Sequence, residues 1–275
     1  MDNNYTSKDV KNTLEKLDVH EEWEQLFRTS ENEPFFKLAL DYITGVLDAP
    51  KDSIILDTGC GTCQQSIRLA NRGFRCVAVD FSEAILEKAR TKIKKEGLEG
   101  RIIVQREDLT SLSFQNETFS YVLCWGVLMH IPDLEKAVSE LSRVLKPNGK
   151  IIVGESNLYS LQPIIGSIVF PVLRILLGRK SAKVKHTKFG IEQWTTSNTG
   201  LLFTRLTNVG QLIHAFEKKG FVVTKRVPGE FTQWYTLLPN RLLRSLVHGI
   251  NGFWFSHIRI AWPAFTNIII LDKEG

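Results

Sequence analysis

The 275-residue chain is 43% hydrophobic and 24% charged, the composition of an ordinary globular protein with enough residues for a sizeable core, which excludes disordered and fibrous classes. Its net charge of +5 conceals a division, with 20 Lys/Arg against 25 Asp/Glu in residues 1–155 and 15 against 5 in residues 156–275. Four cysteines stand at 60, 63, 76 and 124, and no second Cys/His pair follows Cys60-x-x-Cys63 at zinc spacing, so no metal site is expected.

The first predicted element is an amphipathic helix over 7–29, with Leu14, Leu17, Val19, Trp23 and Leu26-Phe27 set among charges. A second helix is predicted from Glu33 to Leu47, with Pro34 suited to a first helical position. An apolar strand then runs through Ile54-Ile55-Leu56 into Asp57, followed by Thr58-Gly59-Cys60-Gly61-Thr62 and a helix over 63–72. Glycines there allow a tight turn and the approach of a ligand to the main chain, while the N–H groups opening the next helix face the ligand's polar end. This is a nucleotide-type site at the C-terminal end of a parallel strand.

Strand two, Phe74 to Val79, ends in Asp80, 23 positions after Asp57, where one carboxylate can accept both hydroxyl protons of a ribose. After a helix over 83–97, strand three (Ile102 to Arg106) leads to Asp108-Leu109, placed for an exocyclic adenine amine. Strand four, Tyr121 to Cys124, opens into Trp125-Gly126-Val127-Leu128-Met129-His130-Ile131-Pro132-Asp133. A helix over 133–146 and the turn Leu145-Lys146-Pro147-Asn148-Gly149 precede strand five, Lys150 to Gly154. Beyond Glu155 a helix over 207–219, strand six (Phe221 to Lys225) and strand seven (Thr266 to Leu271) complete the pattern.

Five of these stretches, Asp57-x-Gly59-x-Gly61, Val79-Asp80-Phe81-Ser82, Arg106-Glu107-Asp108-Leu109, Met129-His130-Ile131-Pro132-Asp133 and Leu145-Lys146-Pro147-Asn148-Gly149, stand in order between Ser53 and Glu155. Together they resemble the class I S-adenosylmethionine-dependent methyltransferases, most closely the ubiquinone/menaquinone-biosynthesis-like (type 11) branch. The resemblance implies an α/β fold with a doubly wound, seven-stranded sheet, parallel except for the last strand. It implies S-adenosyl-L-methionine as cofactor, held by Asp57, Gly59, Cys60, Gly61, Asp80, Phe81, Ser82, Asp108, Leu109, Trp125 and His130. The chain departs from the family pattern at Cys63, where a third glycine is frequent, and at Asn148, a turn-tolerant replacement for glycine.

A single domain is expected, with a helical cap (1–50), a cofactor-binding core (51–155), an insert (156–206) and a C-terminal completion (207–275) that holds a second insert (230–262). Both inserts are strongly apolar. They are expected to form a joint lid over the ends of strands four and five, with Arg174, Lys180, Lys183 and Lys185 near its rim. Trp23, Phe27, Tyr159, Phe170, Trp234 and Tyr235 are the candidate substrate contacts.

If the acceptor must lose a proton, His130 is the first candidate base, because its ordinary pKa of ~6.5 suits neutral pH. Glu155 is the second and His186 the third. The expected reaction moves a methyl group to O, N or C of a hydrophobic small molecule, such as a quinone precursor, a lipid-like compound or a natural product. RNA or protein methylation is the alternative, but no Asn/Asp-Pro-Pro-Tyr motif stands at strand four, so nucleic acid is not the expected partner. A further alternative is a non-catalytic cofactor-binding or membrane-associated partner protein. The start of the chain lacks a basic-then-apolar signal, so a cytoplasmic location is expected. The basic second half and its apolar run add peripheral contact with a membrane surface.

Overall fold

The computed structural model describes residues 7–27, 29–169, 183–196 and 201–275. Its centre is β1 (Ile54–Thr58), whose residues Ile55 and Leu56 are both fully buried. A strand with two dry faces must lie inside a parallel sheet covered on both sides. Its neighbours are β2 (Arg75–Asp80) and β4 (Phe119–Trp125), both parallel to it, and β3 (Ile102–Arg106) and β5 (Leu145–Ser156) extend the sheet outward. Beyond β5 come β10 (Thr266–Lys273) and β9 (Phe221–Pro228), giving the order β3-β2-β1-β4-β5-β10-β9. Only β10 runs against its neighbours. The expected seven-stranded sheet is present.

Successive strand residues serve opposite cores. Ile55, Leu123 and Ile152 meet α3 (Glu33–Leu47), α4 (Gln64–Ala70) and α5 (Glu83–Lys95), through side chains such as Leu40, Leu69 and Leu86. Leu56, Val122, Ile151 and Val153 pack instead on Val138 and Leu141 of α6 (Leu134–Val144) and on Leu212 and Phe216 of α8 (Val209–Glu217). The chain order reverses between β1 and β4, so the loops at their C-terminal ends splay apart and open a crevice.

The structure corrects three sequence expectations. The helix expected over 7–29 is two helices, α1 (Ser7–Leu14) and α2 (Leu17–Phe27). The break turns Val10, Leu14 and Val19 onto one apolar cluster with Phe203, and His20 Nε2 bonds the freed carbonyl of Leu14 at 2.7 Å. The expected turn at 145–149 lies within β5, where Asn148 takes a left-handed φ of 61° and the register shifts between Phe119 and Tyr121. That conformation is the one in which asparagine replaces glycine at small cost.

The third correction concerns the first insert, which is not simply an apolar lid. After α7 (Leu161–Val169), the described residues form an antiparallel sheet of β6 (Lys183–Thr187), β7 (Gly190–Thr196) and β8 (Leu201–Thr207). The second insert holds a short turn over Trp234–Leu237, then α9 (Arg241–Phe253) and one wide turn over Trp254–Ile258. The two inserts touch where Gln162 Oε1 accepts from Thr232 Oγ1 at 2.7 Å and from the Gln233 N–H at 2.6 Å.

Candidate active site

Gly59 and Gly61 have φ of 63° and 55°, so the loop after β1 needs residues without a Cβ at both places. A Cβ on Gly59 would also stand 2.5 Å from Cγ2 of Val127, part of the loop after β4. Cys63 precedes α4 with φ 58°, which explains why glycine suits that position in the resembling family; here a fully buried thiol side chain takes it. Asp57 is buried and accepts from Ser66 Oγ at 2.5 Å. Asp80, at the end of β2, accepts from the N–H groups of Gly61 at 3.0 Å and Ser82 at 3.1 Å. These two donors fix its carboxylate against the glycine loop, and a carboxylate has further lone pairs for a diol.

These groups line one cavity of about 570 Å³, into which Asp57, Gly59, Cys60, Gly61, Asp80, Phe81, Asp108, Leu109, Trp125 and His130 all open. Ser82 is the exception among the candidate cofactor residues. It is fully buried in front of α5 and is not part of the wall; its N–H orients Asp80 instead. Asp108 is held by Lys11 of α1 and by the N–H and hydroxyl of Thr110. Burial works against its charge, but these donors prevail and keep its carboxyl below the usual range. These residues suit S-adenosylmethionine: a fixed acid at β2, an open glycine loop and the indole of Trp125.

The same cavity has an aromatic lining, Trp23, Phe27, Phe35, Phe36 and Phe265, with Phe36 against Trp125 and Trp23 against His130. Two buried acids interrupt it. Glu155, at the end of β5, accepts from the N–H of Ser156 at 2.9 Å through Oε1, while Oε2 is buried without a partner. Burial pushes its pKa up to about 7, although the Ser156 N–H and the charge of Arg205 oppose the rise. Glu230 follows β9 and accepts from Gln233 Nε2 at 2.7 Å through Oε2, and its Oε1 is likewise buried and unpartnered. Burial raises its pKa to about 7 as well, against hydrogen bonds from Gln233 and Tyr235.

His130 sits on the wall with its ring 4.7 Å from that of Trp23. Its Nδ1 lies 3.1 Å from the carbonyl oxygen of Phe203, which can only accept, so Nδ1 carries the proton and Nε2 is the acceptor. Burial lowers its pKa to about 4, which keeps the ring neutral at pH 7.

Of the remaining candidates among the described residues, only Trp23, Phe27 and Tyr235 reach the cavity. Tyr159 is 63% exposed and bonds Asn208 Nδ2 at 3.4 Å. Trp234 lies in the short turn and is not part of the wall, to which its neighbours Gln233 and Tyr235 belong. His186 is exposed on β6, an edge strand of the small sheet, whose opposite edge β8 brings Thr204 to the wall while β6 contributes no residue to it. Phe170, Arg174 and Lys180 lie outside the described residues. Sequence reasoning missed Glu230, Gln233 and Lys11. One signal did mark Glu230: it is the only Asp or Glu between Glu217 and Asp272.

Residues 55–149 match the family model described as a methyltransferase domain, and the sheet with its crevice is Rossmann-like. Among curated relatives the chain is similar to demethylmenaquinone methyltransferases. It is 42% identical over 101 residues to a demethylmenaquinone methyltransferase of Leptospira interrogans, covering 36% of this chain and 41% of that one. The chain spans about half the length of the curated relatives it matches, 41% to 56% in three of them. An S-adenosylmethionine-dependent methyltransferase from Clostridium acetobutylicum has the same fold, with a TM-score of 0.61 over 94% of this chain and 98% of that one at 14% identity. The [4+2]-cyclase SpnF shares it too, with a TM-score of 0.57 over 86% of this chain and 80% of that one at 18% identity.

Proposed function

We propose that the protein transfers a methyl group from S-adenosylmethionine to a hydrophobic small molecule, quinone-like, lipid-like or of natural-product type, whose reacting group carries a removable proton. The observation that supports it most is one cavity shared by the nucleotide-binding groups of β1 and β2, by aromatic side chains, and by Glu155, whose Oε2 is buried and unpartnered. Relatives named as demethylmenaquinone methyltransferases and a Streptomyces halstedii methyltransferase support the small-molecule reading.

Asp80 would take the ribose hydroxyls, the Gly59–Gly61 loop the amino-acid end, and Asp108 the adenine amine once Lys11 moves aside. The bound cofactor supplies a methyl group already activated on a sulfonium. The chain's task is then alignment and proton removal. Trp23, Phe27, Phe35 and Phe36 exclude water and hold the acceptor's apolar body. Glu155, with a pKa of about 7, is ionised in a useful fraction at neutral pH and accepts the acceptor's proton at Oε2. It takes precedence over His130, whose pKa of about 4 makes it the weaker base. Two acids on the cavity wall repel an anion, so the acceptor's reacting group enters neutral. The basic excess of residues 156–275 does not oppose this, because none of its described lysines or arginines lines the cavity.

Glu155→Gln keeps the shape and removes the base. Turnover should fall by ~10²–10⁴ with cofactor affinity within about twofold of the parent. Methyl transfer from labelled S-adenosylmethionine to a panel of quinols, phenols and hydroxylated lipids reads the first quantity, and calorimetry the second. Cofactor binding without transfer to any such acceptor would sink the enzymatic reading. Transfer unaffected in Glu155→Gln would sink only the role of Glu155.

A further inference from the structure

Helix α9 is amphipathic the wrong way round for a packed helix. Its inward face carries His248, 6% exposed, and Asn251, 0% exposed. Asn251 Oδ1 accepts from the Thr232 N–H and its Nδ2 donates to the Thr232 carbonyl, both at 3.0 Å, and the His248 ring lies 4.2 Å from that of Tyr235. The outward face carries Leu242, Leu246, Ile250 and Phe253, exposed by 70%, 59%, 51% and 57%. Spacings of four, four and three place these four on one stripe along the helix. Leu237 before the helix and Trp262 after it are exposed to a similar degree.

A patch of this kind requires an apolar occupant, and charge selects which. Between Phe231 and Leu271 the chain has no Asp or Glu, while Arg241 and Arg259 are exposed at the start of the helix and after it; Arg241 pairs with Glu31 at 2.9 Å, and Arg244 turns back onto the Leu238 carbonyl. A second copy docked face to face would bring the exposed Arg241 and Arg259 of both copies together, with the one acid at hand, Glu31, already taken by Arg241. An anionic bilayer offers acyl chains to the leucines and headgroup charge to the arginines. We infer that α9 is a membrane-docking helix, lying in the headgroup region of an anionic bilayer with Leu242, Leu246, Ile250 and Phe253 inserted. The same insert supplies Glu230, Gln233 and Tyr235 to the cavity wall, so docking places a wall of the acceptor site beside the phase in which a hydrophobic acceptor dissolves. That last link rests on the proposed function; the docking itself does not.

The test is co-sedimentation of the full chain with vesicles of phosphatidylcholine alone or of equimolar phosphatidylcholine and phosphatidylglycerol. Binding is expected to the anionic vesicles, several-fold weaker at about 0.5 M salt than at about 0.05 M. The Leu246→Asp/Phe253→Asp variant should bind at least about tenfold more weakly. Both residues are exposed, so its melting temperature and its calorimetric affinity for S-adenosylmethionine should match the parent; should it misfold, Leu242→Ser/Ile250→Ser gives the same readout. No binding to either vesicle, or equal binding by parent and variant, overturns the inference. A parent dimer that the variant converts to monomer, with no vesicle binding by either, assigns the face to a second copy and overturns it equally. Cofactor affinity and methyl transfer in detergent are measured separately, so failure of docking is distinct from failure of the enzymatic reading.

Discussion

At the scale of single residues, Glu155 and Glu230 dominate because both are buried where ionisation is costly. Each has a pKa near 7 against an ordinary 4.5. A raised acid contributes stability that is fully present below about pH 4.5 and is lost as pH rises through about 7, since the folded state binds the extra protons across that window. The loss on ionisation is of the order of 3 kcal/mol for each acid. The melting temperature of the ligand-free protein should therefore fall by several degrees between about pH 5 and about pH 8. In the Glu155→Gln/Glu230→Gln variant that slope should flatten, and an unchanged slope would mean that the two acids are already solvated in solution. Glu155 was legible in the sequence because it ends a core strand. Glu230 was not, because its burial depends on pairing across β10, where the Glu230 N–H donates to Thr266 Oγ1 at 2.6 Å and the Thr266 N–H donates to the Glu230 carbonyl at 3.0 Å.

At the scale of elements, the small antiparallel sheet is clasped between the turn after β4 and the N-terminal helices. Arg205 of β8 is 1% exposed and donates to the carbonyls of Leu128 at 3.2 Å, Ile131 at 3.0 Å and Pro132 at 3.1 Å, and to Glu192 Oε1 at 3.0 Å. His130 adds its bond to Phe203, whose ring is buried under Val10, Leu14 and Val19. Three segments far apart in sequence thus close one side of the cavity. Arg205→Ala strips four acceptors of their donor and leaves Glu192 without its cation, which should cost about 3–5 kcal/mol. Urea denaturation would measure it. A cost below about 1 kcal/mol would show that the sheet is held by Phe203 alone. No sequence pattern announced this clasp, since an arginine within a strand reads as an exposed residue until its partners are known.

At the scale of the whole molecule, the cofactor end is roofed by helices that rest on the small sheet through Val10, Leu14 and Val19 and reach the core through charged groups. Lys11 meets Asp108, Glu15 meets Arg106, Glu21 meets Lys88 and Glu24 meets Thr62. These contacts are partly exposed, so each contributes on the order of 0–1 kcal/mol and weakens in salt. The roof should open without unfolding the core. Dissociation of S-adenosylmethionine is accordingly expected to accelerate several-fold between about 0.05 and about 0.5 M salt, with little change in melting temperature. Stopped-flow tryptophan fluorescence, with Trp23 and Trp125 both on the cavity wall, follows the release. A salt-independent rate would exclude the ion pairs as the gate.

The assembly into seven strands was implied by the family resemblance and their order came from the structure, whereas the sequence by itself determined the core strands and the acids and glycines of the nucleotide end. Those features follow from local rules: apolar runs that must lie in a two-sided sheet, glycines that must turn with positive φ, and carboxylates at strand ends. It also marked both inserts as too apolar to be free loops. Only the tertiary structure decided where that apolar surface points. Periodicity reports that a helix such as α9 has two faces, and the usual inference sends the apolar one inward. Here Asn251 and His248 take the inward side by meeting Thr232 and Tyr235, partners set by the path of the insert, and the leucines are left outside. Tertiary contacts likewise moved Tyr159, Trp234 and His186 off the cavity wall and brought Glu230 onto it, because side-chain direction in an insert depends on packing between segments remote in sequence.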